Sequence, residues 1–315
     1  MFYKLYTHND LDGVACAILA KLLWDNNIDV EYCNSPQEVT YHLNSDNNRQ
    51  TDLIFITDCS FNYDAIKDKK ILNKIRLFDH HATALPLADK SEYYVVKVNR
   101  EDGKLTCGTE IFYNYLKERR GFSYNCNWFV EQVRLYDTWD WTKGNSKTPK
   151  YLSMLLYMQS ITNFCNSFVK KLKLLRLSEL NVFSEKDRIL LEYEEHKQQK
   201  EVDKAVKNCY ITEVGDYTYG VVYGNVDMSV VGNAICNKYN VDIALNINLS
   251  TEIMSVRTTR DDINLGELMQ KYGGGGHAKA AGAPITGSAY NSFITIFDSD
   301  SVKNFKRNEE LKCRN

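Results

Sequence analysis

Along the first 140 residues, short apolar runs alternate with helical patterns, and most of those runs end in carboxylates or imidazoles. Residues 2–6 read as a strand leading into His8-Asn9-Asp10-Leu11-Asp12-Gly13. Residues 13–24 place Val14, Ile18, Leu19, Leu22 and Leu23 at helical spacing. Residues 28–33 are β-rich and alternating, 53–57 run straight into Asp58, and 75–78 run into Asp79-His80-His81. Thr109 is then a candidate cap for a helix on which Ile111, Phe112, Tyr115 and Leu116 share a face. A further helix over 128–136 ends at Asp137. Strands alternating with helices predict βαβ units, hence an α/β fold with a mostly parallel sheet flanked by helices. In an open sheet of that kind the carboxyl ends of the strands line the binding crevice. Polar residues distant in sequence are therefore expected at one edge.

At about 150 residues per domain, 315 residues suggest two domains. Residues 151–208 carry no strand signal; Ser184-Glu185-Lys186-Asp187 reads as a capping box for a charged helix reaching about Lys207. From Cys209 the pattern turns β-rich, with strands over 217–223, 241–249 and 253–257 and helices over 228–239 and 265–272. The stretch after about 300 is polar and reads as a tail.

Lys and Arg number 39 against 41 Asp and Glu, a net charge of -2. A protein that grips long nucleic acid by counterion release carries a basic excess, so any nucleic-acid substrate is expected to be short. No apolar run approaches the roughly 20 residues of a membrane span, and the N-terminus lacks the pattern of a secretory signal. Nine scattered cysteines without a Cys-x-x-Cys argue against a disulfide framework or a structural zinc site and favour a reducing cytoplasm.

The chemistry rests on clusters. His8, Asp10 and Asp12 alternate, so an extended backbone aims them at one centre; an N-cap and turn is the plain reading of the same residues. Asp58 ends a buried strand. Asp79-His80-His81 sets two imidazoles beside a carboxylate, and Asp137 or Asp140, within Tyr136-Asp137-Thr138-Trp139-Asp140-Trp141, can complete a site. So many negative charges at one sheet edge require cations. Carboxylates with imidazole and no thiolate point to Mn²⁺, with Mg²⁺, Co²⁺ or Fe as substitutes. Two ions about 3.5–4 Å apart would activate water and clamp a phosphoryl group. In the second half, four glycines (273–276) precede His277, and consecutive glycine amides can converge on an anion. Arg257, at a strand end, can fork onto a phosphate or carboxylate.

In that order, His8-x-Asp10-x-Asp12-Gly13, Asp58, Asp79-His80-His81 and Asp137 resemble the motif set of the DHH phosphoesterases. Ser255-x-Arg257 and Gly273 to His277, with Ala280-Ala281-Gly282, resemble the DHH-associated C-terminal domain; the likeness covers about 1–285. It is strongest to the compact bacterial oligoribonucleases of the family. The resemblance implies a catalytic domain over 1–182, a linker helix over 183–208, a smaller substrate-binding α/β domain with a mixed sheet over 209–300, and the tail over 301–315. It implies two Mn²⁺ ions, one held by His8, Asp10 and Asp58, the other by Asp12, Asp58, His80 and Asp137. His81 would meet the scissile phosphate, and Asp79 would orient a histidine. Arg257, Gly274, Gly275, Gly276 and His277 would bind the substrate's end, with closure between the domains assembling the site.

The activity so implied is an Mn²⁺-dependent phosphodiesterase that trims short RNA or DNA oligonucleotides or dinucleotides to mononucleotides by attack of a bridging hydroxide. Two other readings stay open. One is the same chemistry on cyclic or linear dinucleotide signals, phosphoadenosine phosphate or polyphosphate. The other is a non-catalytic nucleotide-binding regulator. No obligate protein partner is implied, and a homodimer is compatible with the sequence.

Overall fold

A computed structural model describes residues 2–285 apart from 46, 47, 49 and 120. The expected polar tail, 301–315, lies outside the described residues. By compactness the chain forms two units, Met1–Glu192 and Tyr193–Asn315.

The first unit is built on five strands, β1 (Tyr3–Thr7), β2 (Ile28–Tyr32), β3 (Leu53–Thr57), β4 (Ile75–Asp79) and β5 (Tyr94–Val96), all parallel in the order β2-β1-β3-β4-β5. Their side chains alternate between two cores. Leu5, Phe55 and Phe78 enter the one formed with helices α1 (Leu11–Trp24), α5 (Gly108–Lys117), α6 (Asn127–Asp137), α7 (Thr148–Tyr157) and α8 (Ile161–Leu174). Tyr6, Ile54, Ile56 and Leu77 enter the other, with α2 (Pro36–Leu43), α3 (Lys69–Leu72) and α4 (Leu85–Ala88). Burial on both faces explains why the central strand β3 reads as a continuous apolar run, whereas the edge strand β2 alternates. Each fully buried Phe or Leu contributes about 1.5–3 kcal/mol to that packing.

Helix α9 (Glu185–Lys207) opens with the expected capping box, here closed by aspartate: Ser184 Oγ accepts from the Asp187 amide (3.2 Å) and Asp187 Oδ2 from the Ser184 amide (2.9 Å). Leu191 lies in the core of the first unit, and Val202 and Val206 lie in a core of the second. The boundary between the units thus falls within this helix.

The second unit has a six-stranded mixed sheet in the order β10-β11-β9-β8-β7-β6. Its strands are β6 (Tyr210–Val214), β7 (Tyr217–Tyr223), β8 (Ile243–Asn248), β9 (Ile253–Arg257), β10 (Gly275–Gly276) and β11 (Ala280–Pro284); β7 and β8 are parallel and the other pairs antiparallel. Val222 and Ala244 pack with α10 (Met228–Tyr239); Val221, Ile243 and Leu245 pack with α11 (Leu265–Gln270).

Candidate metal centre

The strand order 2-1-3-4-5 reverses direction between β1 and β3, and a ligand crevice opens outside the carboxyl ends at such a reversal. His8 follows β1, Asp58 follows β3, and Asp79 closes β4 ahead of His80 and His81. Register sets these exits level, since Thr7 pairs with Thr57 and Thr57 with Phe78. Beneath them Thr57 Oγ1 donates to Thr7 Oγ1 (2.8 Å), which donates to Gly13 O (3.0 Å).

Asp58 is the hub. It is buried and adopts φ +53°, a left-handed conformation that Asp and Asn tolerate better than most side chains. Its Oδ1 lies 3.1 Å from His80 Nε2 and its Oδ2 4.0 Å from His8 Nδ1. That Oδ2 is buried with no hydrogen-bond partner among the described residues. His8 Nδ1 also meets Asp10 Oδ2 at 2.8 Å, while Asp10 Oδ1 accepts from the Gly13 amide (3.1 Å). One carboxylate therefore caps α1 and joins the cluster at once. His80 Nε2 is 3.9 Å from Asp12 Oδ2, and its Nδ1 is 3.7 Å from Asp137 Oδ2. Among the described residues three sets bring their ligand atoms within 4.8 Å of one another: His8, Asp10 and Asp58; Asp12, His80 and Asp137; and Asp58, His80 and His81.

Burial, and then repulsion from Asp12, Asp10 and Asp137, pushes the Asp58 carboxyl well above the ordinary carboxylate range. Burial followed by Asp12 and Asp10 does the same to Asp137. Burial draws His80 below the usual imidazole value, and the hydrogen bond to Asp10 raises His8. Burial opposes charge on both Asp79 and His81, but their mutual hydrogen bond (His81 Nδ1 to Asp79 Oδ1, 2.7 Å) prevails: Asp79 is lowered and His81 raised. Asp79 Oδ1 also accepts from the amides of His80 (2.7 Å) and His81 (3.2 Å), so it orients that turn as well as the ring.

Four carboxylates, two of them held against their ordinary acidity, and an orphaned carboxylate oxygen fit divalent cations. The donors, oxygen and imidazole, suit an ion such as Mn²⁺. Among the described residues none of the three sets includes a thiol; burial, reinforced by nearby carboxylates, pushes the neighbouring Cys59 and Cys107 thiols well above their ordinary range.

Asp140, the second carboxylate of its segment, sits elsewhere. Its oxygens meet Arg134 Nη1 and Lys143 Nζ, each at 2.8 Å, and those hydrogen bonds hold it down to about 2. Two residues that the sequence reading passed over as site residues are Gly108 and Thr109. The expected cap, Thr109, is the second residue of α5; the helix begins at Gly108, and both amides donate to the Asp12 carboxylate (2.6 and 2.8 Å). A glycine directly before a capping-type residue at a helix start was the available signal.

In the second unit Arg257 ends β9; Nη1 donates to Val256 O (2.9 Å), and the stem crosses Gly232, where a Cβ would lie 2.6 Å from Arg257 Cγ. The glycine run departs from the expected row of converging amides. Gly273 (φ +75°) and Gly274 donate to Gln270 O (3.1 Å) and Met269 O (3.0 Å), the Schellman pattern that terminates α11. Gly275 and Gly276 pair with Gly282 and Ala281, and the His277 amide donates to Ala280 O (2.8 Å).

Residues 215–300 match the DHHA1 domain. The chain is 35% identical to Oligoribonuclease NrnB of Bacillus subtilis (strain 168), over 96% of this chain and 77% of that protein. Solved structures share the fold. The pGpG-specific phosphodiesterase PggH from Vibrio cholerae superposes with a TM-score of 0.58 at 17% identity, covering 94% of this chain and 97% of that one. RecJ in complex with Mn²⁺ from Thermus thermophilus gives 0.57 at 13% identity, covering 93% and 51%. With identity of 35% to the oligoribonuclease along nearly all its length, the chain belongs to the DHH phosphoesterase family, enzymes that hydrolyse phosphoester bonds.

Proposed function

We propose that the protein hydrolyses very short RNA or DNA oligonucleotides, dinucleotides included, to mononucleotides with two Mn²⁺ ions. His8, Asp10 and Asp58 would hold one ion, and Asp12, Asp58, His80 and Asp137 the other. The observation that carries this reading is Asp58, buried between the two groups with one oxygen toward His8 and the other toward His80. Such ions, when bound, acidify water and neutralise charge on the phosphoryl group. Burial and neighbouring carboxylates bias Asp58 and Asp137 toward their protonated forms, so holding ions there would require both to give up those protons. Burial biases His80 toward the neutral imidazole, whose lone pairs would suit a cation. His81, biased toward the imidazolium by its Nδ1 contact with Asp79, would then present Nε2–H to a phosphate oxygen. Mg²⁺ and Co²⁺ are the substitutes to test.

Arg257, Gly275, Gly276 and His277 are proposed to recognise the substrate's terminal phosphate or nucleotide; Gly274 is left out because its amide serves α11. We keep 1–182 as the catalytic and 209–300 as the substrate-binding domain. The relative named an oligoribonuclease supports the substrate class, and a net charge of -2 suits a short substrate. A reducing cytoplasm is the proposed setting, supported by eight free cysteines, seven of them buried, among the described residues. Among the same residues no helix is long and apolar enough to cross a membrane.

The test is incubation of metal-loaded protein with a labelled RNA dinucleotide. Mononucleotide release with Mn²⁺ is expected; no release with Mn²⁺, Mg²⁺ or Co²⁺ would overturn the proposal. A parallel panel of cyclic dinucleotides, phosphoadenosine phosphate and polyphosphate identifies a different preferred substrate if one of them turns over faster.

A further inference from the structure

Asp12 lies in the first turn of α1, yet its side chain is held by the first turn of α5. Its Oδ2 accepts from the Gly108 amide (2.6 Å) and its Oδ1 from the Thr109 amide (2.8 Å), while Thr109 Oγ1 donates to Asp12 O (2.6 Å). Helix α5 has no side-chain cap of its own: Cys107 occupies that position without a capping hydrogen bond. Asp12 supplies the cap from a different element and sits at the positive end of the helix dipole.

The same turn presses on Asp58. A Cβ built on Gly108 would lie 2.7 Å from Asp58 Cβ, 2.9 Å from Asp58 Cα and 3.0 Å from Asp12 Oδ2. Glycine is required here for space. Asp58 meanwhile keeps φ +53°, a conformation that persists where surrounding structure over-determines it. Gly108 is thus packed against the Asp58 backbone and Cβ and against the Asp12 carboxylate at once. A carboxylate has about four lone-pair positions, so two amide bonds leave Asp12 able to bind a cation as well.

We infer that the Gly108-Thr109 step is a positioning element that sets the spacing of Asp12 and Asp58, and through them the separation of the two ions. Neither residue touches the reacting atoms; they act through the two aspartates. The inference rests on the metal reading above.

The experiment measures Mn²⁺ binding to wild type, Gly108→Ala, Thr109→Val and Thr109→Ser. Calorimetry and electron paramagnetic resonance report binding, and apoprotein melting is followed in parallel. Wild type is expected to bind two ions with a spin-coupled signal. Gly108→Ala is expected to lose about 10–100-fold in affinity for one ion, the range for partners that orient metal ligands, with a weakened coupled signal. Thr109→Val should shift in the same direction and Thr109→Ser should restore binding; this pair decides the matter if Gly108→Ala does not fold. Folded variants with unchanged affinity and coupling, and only a lower apoprotein melting temperature, would overturn the inference and leave the metal reading standing. A wild type that binds no Mn²⁺ would overturn both.

Discussion

Asp58 keeps a carboxyl group where burial and three neighbouring carboxylates oppose its charge. Its folded pKa lies above the unfolded value of about 3.9, so the folded apoprotein retains a proton that the unfolded chain has lost. That contribution favours folding below about pH 3.9 and is lost as pH rises through the raised folded value. Asp137 has the same sign. His80, lowered by burial, has the opposite one: its contribution is lost as pH falls below about 6.5. Asp58→Asn isolates the first effect, and asparagine also tolerates φ > 0. It should stabilise the apoprotein at pH 7 by about 1–3 kcal/mol, the cost of a buried unsatisfied group, with the gain shrinking toward pH 4. Urea unfolding at several pH values measures this; a variant no more stable than wild type at pH 7 would contradict it. The same raised carboxyls make cation binding release protons. Apparent Mn²⁺ affinity should therefore rise from pH 5 to pH 7, with proton release visible by calorimetry in buffers of different ionisation enthalpy. Flat affinity would show that these carboxyls are already ionised.

Helix α6 shows what an element contributes and what the sequence leaves open. Asp137 and Asp140 are three residues apart, so both could lie on one helical face, and residue type alone does not separate them. The helix ends at Asp137, and buried Arg134 pairs with Asp140 and with Glu131 (2.7 Å), which Arg100 also joins. Arg134→Met should destabilise the fold by about 2–3 kcal/mol. That is below the roughly 3–5 kcal/mol of a fully buried pair, because the Glu131 and Asp140 side chains stay 37% and 20% exposed. Denaturant unfolding checks the value, and a change under about 1 kcal/mol would mean the network is worth no more than a solvated surface pair. The expected cap of α5, Thr109, lies two residues past the cap position, Cys107, for a comparable reason. Thr109 has the side chain of a cap, but the cap comes through space from Asp12, a pairing no local pattern encodes. The glycine run likewise looked like an anion cradle because Gly273 and Gly274, which end α11, have the same residue type as Gly275 and Gly276 in β10.

Across the whole molecule, the parallel sheet and the order of its acidic exits were legible because doubly buried strands leave unbroken apolar runs and because His8, Asp58 and His80 each stand one or two residues past such a run. Register and the left-handed backbone of Asp58 were not legible, since both depend on which strands become neighbours. The second unit offers its own test. If Arg257 grips the substrate's end, Arg257→Ala should raise KM for a dinucleotide about tenfold or more, equivalent to about 1.4 kcal/mol, with a smaller effect on kcat. An unchanged KM would remove Arg257 from substrate recognition. The most direct test of the account as a whole is anomalous scattering at the manganese edge from crystals grown with Mn²⁺. Two peaks about 3.5–4 Å apart, flanking Asp58 and bordered by His8 on one side and His80 on the other, are predicted; a single peak, or none near Asp58, would contradict the shared-carboxylate centre.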